Sequence, residues 1–264
     1  MSKRNVIVVT LLLFIVAAAI VRSNIATGLD SYTYDEAYHA GAGAAYVKTG
    51  DFRLNPEQPP LVKLWVGAYV ALRGYQLSPY RPLSDKEAER DSVEEDAYVH
   101  NDPLVLQSRT RAAMLALNGL LILLFAFSAR RLFGDVAAIG SALFFAIDPT
   151  VAAYMPVVMT DLPIALTSGI ALLTAAKAFQ SWKAADLALA AGGVGLALSA
   201  KHSGIITLIA VALVGLGIAC LFSKGVGAKV RLLRSAKVAG VVLGGIIVLW
   251  GTYGFSYYET PGVA

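Results

Sequence analysis

The chain is short of most of what a soluble enzyme uses. Of its 264 residues only 15% are charged, while 57% are hydrophobic and the mean hydropathy is +0.63. That balance is too apolar for an ordinary soluble domain and points to repeated membrane spans. A single cysteine, Cys220, excludes an internal disulfide and a Cys-rich metal site. It lies in an apolar run and reads as a packing residue. No glycine-rich loop follows a strand, and Gly41 and Gly43 fall inside a helix candidate, which argues against a nucleotide-binding domain. Internal repeats and low-complexity segments are missing too.

What is present is apolar length. A helix needs about 20 apolar residues to cross the hydrocarbon core, with about 17 as the short end. Seven segments qualify, near residues 5–21, 112–129, 136–153, 163–179, 185–200, 204–222 and 238–253. Lys3 and Arg4 before the first could mark a signal peptide, but no small-x-small cleavage site follows cleanly, so an uncleaved anchor is expected. Placing Lys3 and Arg4 in the cytoplasm fixes the later loops by alternation. Those then assigned to the cytoplasm hold 11 of the 22 bases but only two of the 18 acids, Asp135 and Asp186, as the positive-inside rule requires. His39, His100 and His202 all fall on the other side. The richness in Ala and Gly suits close helix packing in lipid.

A long external segment, 22–110, separates the first two spans, and loops of this length are uncommon unless functional. Thr33 and Glu36, in capping-box spacing, open a helix over 35–48. Pro59 and Pro60 precede a second, over 61–73, too short to span. Its apolar stripe of Leu61, Leu64, Trp65, Ala68 and Leu72, with Trp65, Tyr69 and Lys63 as anchors, suits a helix lying in the membrane interface. Residues 84–97 read as an acid-rich helix standing in water.

The chemically capable residues gather on this side. Asp35 and His39, one turn apart, share a helix face. A carboxylate there could take a proton from an acceptor or hold a divalent cation, while the helix dipole and the capping box give Asp35 and Glu36 a purely structural alternative. Asp161 stands at the external mouth of the fourth span, either as an N-cap or as a second carboxylate of the same site. Asp148 is a weaker third candidate, because a carboxylate inside a span is costly. Lys201 and His202 interrupt the apolar run between the fifth and sixth spans, and Lys201 could either bind a phosphate or snorkel to the interface. Arg109, Arg111 and Lys63 stand outside against the usual bias for bases. They could hold an anionic lipid headgroup or pair with the acidic loop.

The run Tyr34, Asp35, Glu36, Ala37, Tyr38, His39, then Tyr46 to Asp51 with its Gly50-Asp51 turn, then Asn55-Pro56-Glu57-Gln58-Pro59-Pro60-Leu61-Val62-Lys63, resembles the first external loop of the protein O-mannosyltransferase and aminoarabinose transferase superfamily. The resemblance continues through Thr160-Asp161 and Ser199 to His202. It implies an integral-membrane glycosyltransferase of the C type, inverting transfer from a polyprenyl-phosphate sugar, and an active face that is periplasmic or lumenal. It makes Asp35 the base or metal-organising carboxylate, Glu36 a supporting acid and Asp161 the second carboxylate. Lys63 and Lys201, with Arg109 and Arg111, become the donor-phosphate contacts. Glu57, with His39 and His202, stands at the acceptor or metal position, leaving a divalent metal open as a cofactor. Gln58 replaces the family's usual His or Lys, so the donor sugar does not carry over.

The expectation is therefore an all-α, multi-spanning transmembrane helical bundle of about seven spans with two external interfacial helices, forming one domain over 1–264. It is a glycosyltransferase of a bacterial inner membrane or its equivalent, acting on a protein, lipid or glycan acceptor, with membrane lipid but no nucleic acid as partner. The family normally continues through further spans, so a truncated or reduced member is expected at Ala264. The competing classes are a lipid-binding fragment without chemistry and a transporter, the latter requiring ionisable residues deep in several spans.

Overall fold

The structure is a computed structural model that describes residues 2–78, 85–222 and 225–256. It is all helix among the described residues. Four helices are long and apolar enough to cross a bilayer: α1 (Lys3–Ala26), α5 (Pro103–Phe133), α8 (Asp161–Ser181) and α11 (Ala228–Thr252). Two more, α9 (Ala184–Ala200) and α10 (Gly204–Cys220), have 17 residues each, the short end of a spanning length. Ala264 and residues 79–84, among them Ser84 of the expected acidic helix, lie outside the described residues.

The expected third span is corrected. Residues 136–153 do not form one helix but break at Asp148 into α6 (Asp135–Ile147) and α7 (Pro149–Tyr154). Asp148 caps α7, its carboxylate accepting the Val151 N–H at 2.8 Å. Pro149 takes the first helical position, where its missing N–H costs nothing. The carboxylate inside the expected span is thus accounted for by a helix start.

The bundle packs in two halves joined through α8. One core gathers Val16, Met114, Leu117, Leu121 and Leu166 from α1, α5 and α8; the other gathers Ala171, Phe179, Val194, Val211 and Val241 from α8 to α11. Small residues let the backbones approach. A Cβ on Gly193 would stand 2.9 Å from Ala171 Cα of α8, the close contact lipid-embedded helices use in place of a hydrophobic drive. Cys220, expected to pack, is exposed at the end of α10.

One end of the bundle is laced by ion pairs. Arg4 and Arg130 both donate to Asp135 at 2.6 Å, and Arg131 reaches Asp186 at 2.5 Å. The only two acids assigned to the cytoplasmic side are therefore both found here, each held by arginine.

The opposite end carries an external layer of α2 (Tyr34–Thr49), α3 (Leu61–Ala71) and α4 (Lys86–Glu95), the last running into a π-helical turn, Asp96–His100. Gly50, at φ 72°, ends α2 in the left-handed conformation open to glycine. Asp102 then starts α5 by accepting the N–H groups of Leu104 and Val105. Gly43 and Gly67 bring α2 and α3 into direct backbone contact: a Cβ on either would collide with the other helix. The α3 stripe Leu61, Leu64, Trp65, Ala68 and Leu72 is the less buried face, while Val62, Lys63, Val66 and Val70 turn inward. α4 does not simply stand in water. Val93 packs with Ala37, Tyr38 and Tyr75, and Glu89 and Asp96 are buried.

Candidate active site at the external end

The acid pair that opens α2 divides its labour. Successive helical residues point about 100° apart, so Glu36 turns into the protein while Asp35 stays exposed. Glu36 is fully buried and accepts two hydrogen bonds from Arg111, from Nη2 at 2.8 Å and Nε at 3.2 Å. It also accepts the Thr33 N–H, completing the expected capping box. Arg111 is as buried, and its remaining donors bind the carbonyls of Thr27, Ser31 and Asp30 at 2.7, 2.9 and 3.3 Å. The pair clamps the α1–α2 connection to α5. With every donor used, Arg111 has none free for a phosphate, and Glu36 serves position.

Asp35 is the contrast. No side chain among the described residues bonds to its carboxylate, which stands open at the start of α2. One turn on, His39 is 7% exposed, and its Nδ1 has no hydrogen-bond partner. Burial, then the positive charge of Lys63 and Lys201 partly opposed by Asp161, lowers the His39 pKa to about 3. Charges from α3, the start of α8 and the turn after α9 thus all act on this residue of α2.

At the mouth of α8, Asp161 does not cap its helix. Thr160 holds the cap position, and the Asp161 carboxylate instead meets Lys201 Nζ at 2.7 Å, both ends partly open to solvent. His202 is exposed in the same turn. Lys63 departs from expectation, being neither an interfacial anchor nor a free cation. It is fully buried, with Nζ donating to the carbonyls of Asn55 and Gln58 and to the Tyr46 hydroxyl. Burial, against the pull of Glu57 and Glu89, brings its pKa down to about 7. Glu57 is bridged by Lys86 to Glu89. Arg109 donates to the Arg73 carbonyl at 2.8 Å and ties α5 to the end of α3.

Against known families, the model described as dolichyl-phosphate-mannose-protein mannosyltransferase matches residues 9–255. The chain belongs to this family. Its fold is similar to a chain of the Saccharomyces cerevisiae protein O-mannosyltransferase Pmt1-Pmt2 complex bound to the sugar donor, with a TM-score of 0.68 at 19% sequence identity. The match covers 97% of this chain and 34% of that one, so the mannosyltransferase-family chain spans about a third of the yeast protein's length. No curated protein sequence matches it.

In this member of the dolichyl-phosphate-mannose-protein mannosyltransferase family, one end of the bundle thus brings together an open Asp35, the Asp161–Lys201 pair and the enclosed His39 and Lys63. Among the described residues no three His, Cys, Asp or Glu side chains converge. Sequence reasoning missed the partners that hold the site in shape. Tyr46 entered only as part of the resembling run and not as a partner of Lys63, and the carbonyls of Asn55 and Gln58 gave no signal, because a carbonyl belongs to every residue. Asn118, buried in α5 and donating to the Met155 carbonyl at 2.9 Å, could have been noticed as an amide inside an apolar run.

Proposed function

We propose that this chain carries the donor side of a mannosyltransferase site, which moves a mannosyl unit from a polyprenyl phosphate to a protein hydroxyl on the non-cytoplasmic membrane face. The observation that carries the reading is the open Asp35 carboxylate standing at the same end as the Asp161–Lys201 pair. Family membership and the sugar donor bound in the yeast complex support it.

In this mechanism Asp35 accepts the proton of the acceptor hydroxyl as its oxygen attacks the anomeric carbon. The bond from that carbon to the phosphate oxygen breaks, and its electrons leave with the phosphate. Lys201, the cation at the site that is not enclosed, neutralises the departing group. Asp161 holds the Lys201 ammonium in place until donor arrives. Glu36 and Arg111 keep the start of α2 fixed, so that Asp35 meets the acceptor in one orientation.

The test is transfer of labelled mannose from polyprenyl-phosphate mannose to a serine- and threonine-rich peptide, using the purified chain in detergent. Asp35→Asn should lose at least 100-fold in turnover while binding donor as the parent does. Equal turnover in Asp35→Asn would overturn the assignment. Saturable donor binding without transfer by the parent would instead favour a donor-binding unit.

A further inference from the structure

His39 has a property that the mechanism above leaves unused. Its imidazole is almost wholly enclosed, yet Nδ1 makes no hydrogen bond. Buried polar atoms in native structures nearly always find a partner, and an orphan asks for an explanation. Ordinary packing gives none here. The α2 positions around it, Ala37, Ala40, Ala42, Gly43 and Ala44, are small and closely fitted, and α2 is locked to α3 by the Gly43 and Gly67 backbone contact. An aliphatic side chain would suit such a place better than a ring with an unmet nitrogen.

The surroundings say what kind of group would satisfy it. The charges of Lys63 on α3, of Asp161 at the start of α8 and of Lys201 in the turn after α9 all act on His39, and Asp35 lies one turn earlier on its own helix. Burial first, and then the positive charge of the two lysines, keep the imidazole neutral. The free nitrogen of a neutral imidazole donates in one tautomer and accepts in the other. Its natural complement is a hydroxyl, which does both; a phosphate oxygen only accepts. The neighbours also divide the space. Lys201 takes the phosphate and Asp35, at the exposed start of α2, meets the acceptor, which leaves the deeper position of His39 to the glycosyl unit between them.

Resting on the function proposed above, we infer that His39 is a sugar-reading residue: its imidazole hydrogen-bonds a ring hydroxyl of the glycosyl unit on the polyprenyl phosphate and so contributes to the choice of donor. The 7% of the residue already at the surface and the soft torsion about Cβ–Cγ let the free nitrogen turn toward a bound sugar.

Saturation binding to the full chain in detergent separates this role from a merely structural one. The probes are polyprenyl-phosphate mannose, the same lipid with single deoxy positions on the sugar, and polyprenyl phosphate without sugar. His39→Phe should weaken the mannosyl donor about tenfold, the size of one lost hydrogen bond to a hydroxyl, while leaving sugar-free polyprenyl phosphate within twofold. Against the variant, one deoxy donor should bind as well as the parent donor. His39→Asn, which keeps an amide near the Nδ1 position, should recover part of the loss. Equal loss for sugar-free and mannosyl lipid would overturn the inference, since the variant would then have disturbed the fold, and so would unchanged binding of both. If the wild-type chain binds none of the polyprenyl phosphates, the proposed function fails and this inference with it; if it binds them all and only His39 proves indifferent, the function stands alone.

Discussion

At the scale of single residues, the site is built from charges whose burial decides their use. Glu36 and Arg111 show 0% and 2% of their side chains to solvent. Removing one partner leaves the other as an uncompensated charge, which costs far more than the net worth of the pair. Arg111→Ala should therefore destabilise the protein by about 3–5 kcal/mol, measurable as the free energy of unfolding in mixed detergent and denaturant micelles. Lys63 makes a second prediction. Its folded pKa, about 7, lies below the 10.5 of a free lysine. Between those values the unfolded chain holds a proton that the folded one has released, so stability rises with pH across that window. Below pH 7 both states are protonated and the burial cost is felt in full. The thermal midpoint should climb from pH 7 toward pH 10 in the wild type, and Lys63→Met should flatten the climb whatever it does to the absolute midpoint. The sequence displayed both features only as types. An acid pair at the start of a helix was legible, but which of Asp35 and Glu36 turns inward depends on where α5 brings Arg111, 75 residues further on.

Among elements, the decisive contact is that of α2 with α3, because it carries both Asp35 and His39 on one helix and Lys63 on the other. Gly43→Ala would force a methyl into the Lys63 carbonyl, and backbone, unlike a side-chain tip, cannot swing away. A loss of about 3 kcal/mol is expected, at the upper end for overpacking, with weakened donor binding as Lys63 and the loop it holds shift. Gly140→Ala on α6 is the control. Its Cβ meets open space, so the better helix former should leave stability unchanged or raise it by up to about 1 kcal/mol. Thermal midpoints of the two variants, compared with the parent, test the pair of expectations. Glycine content announced close packing but not which glycines face one another, for the meeting of Gly43 and Gly67 is set by the register of two short helices. Asp148 is the reverse case. An aspartate followed by proline was a readable helix start, yet the hydropathy of 136–153 outweighed it and made one span of two helices.

Over the whole molecule, the two ends differ in charge, an asymmetry that the sequence carried in full. Positive charge recurs at alternate loops, and the fold brings those loops to one end, where Asp135 and Asp186 are met by Arg4, Arg130 and Arg131. The external segment, with Asp35, His39 and Lys63, lies at the other. The charge asymmetry was legible in composition because it is a property summed over many residues, whereas the site depends on single contacts between distant ones. The chain supplies its own probe of the result. Cys220 is exposed at the end of α10, on the basic side, and the sequence holds no other cysteine. A membrane-impermeant maleimide should leave it unlabelled in intact cells and label it in inverted vesicles. Moving the thiol by Cys220→Ser with Glu87→Cys, at a position of α4 whose side chain is 79% exposed, should reverse the pattern. If both thiols react from the same side, the two ends of the bundle do not lie across the membrane from each other, and Asp35 cannot work on the face opposite the basic loops.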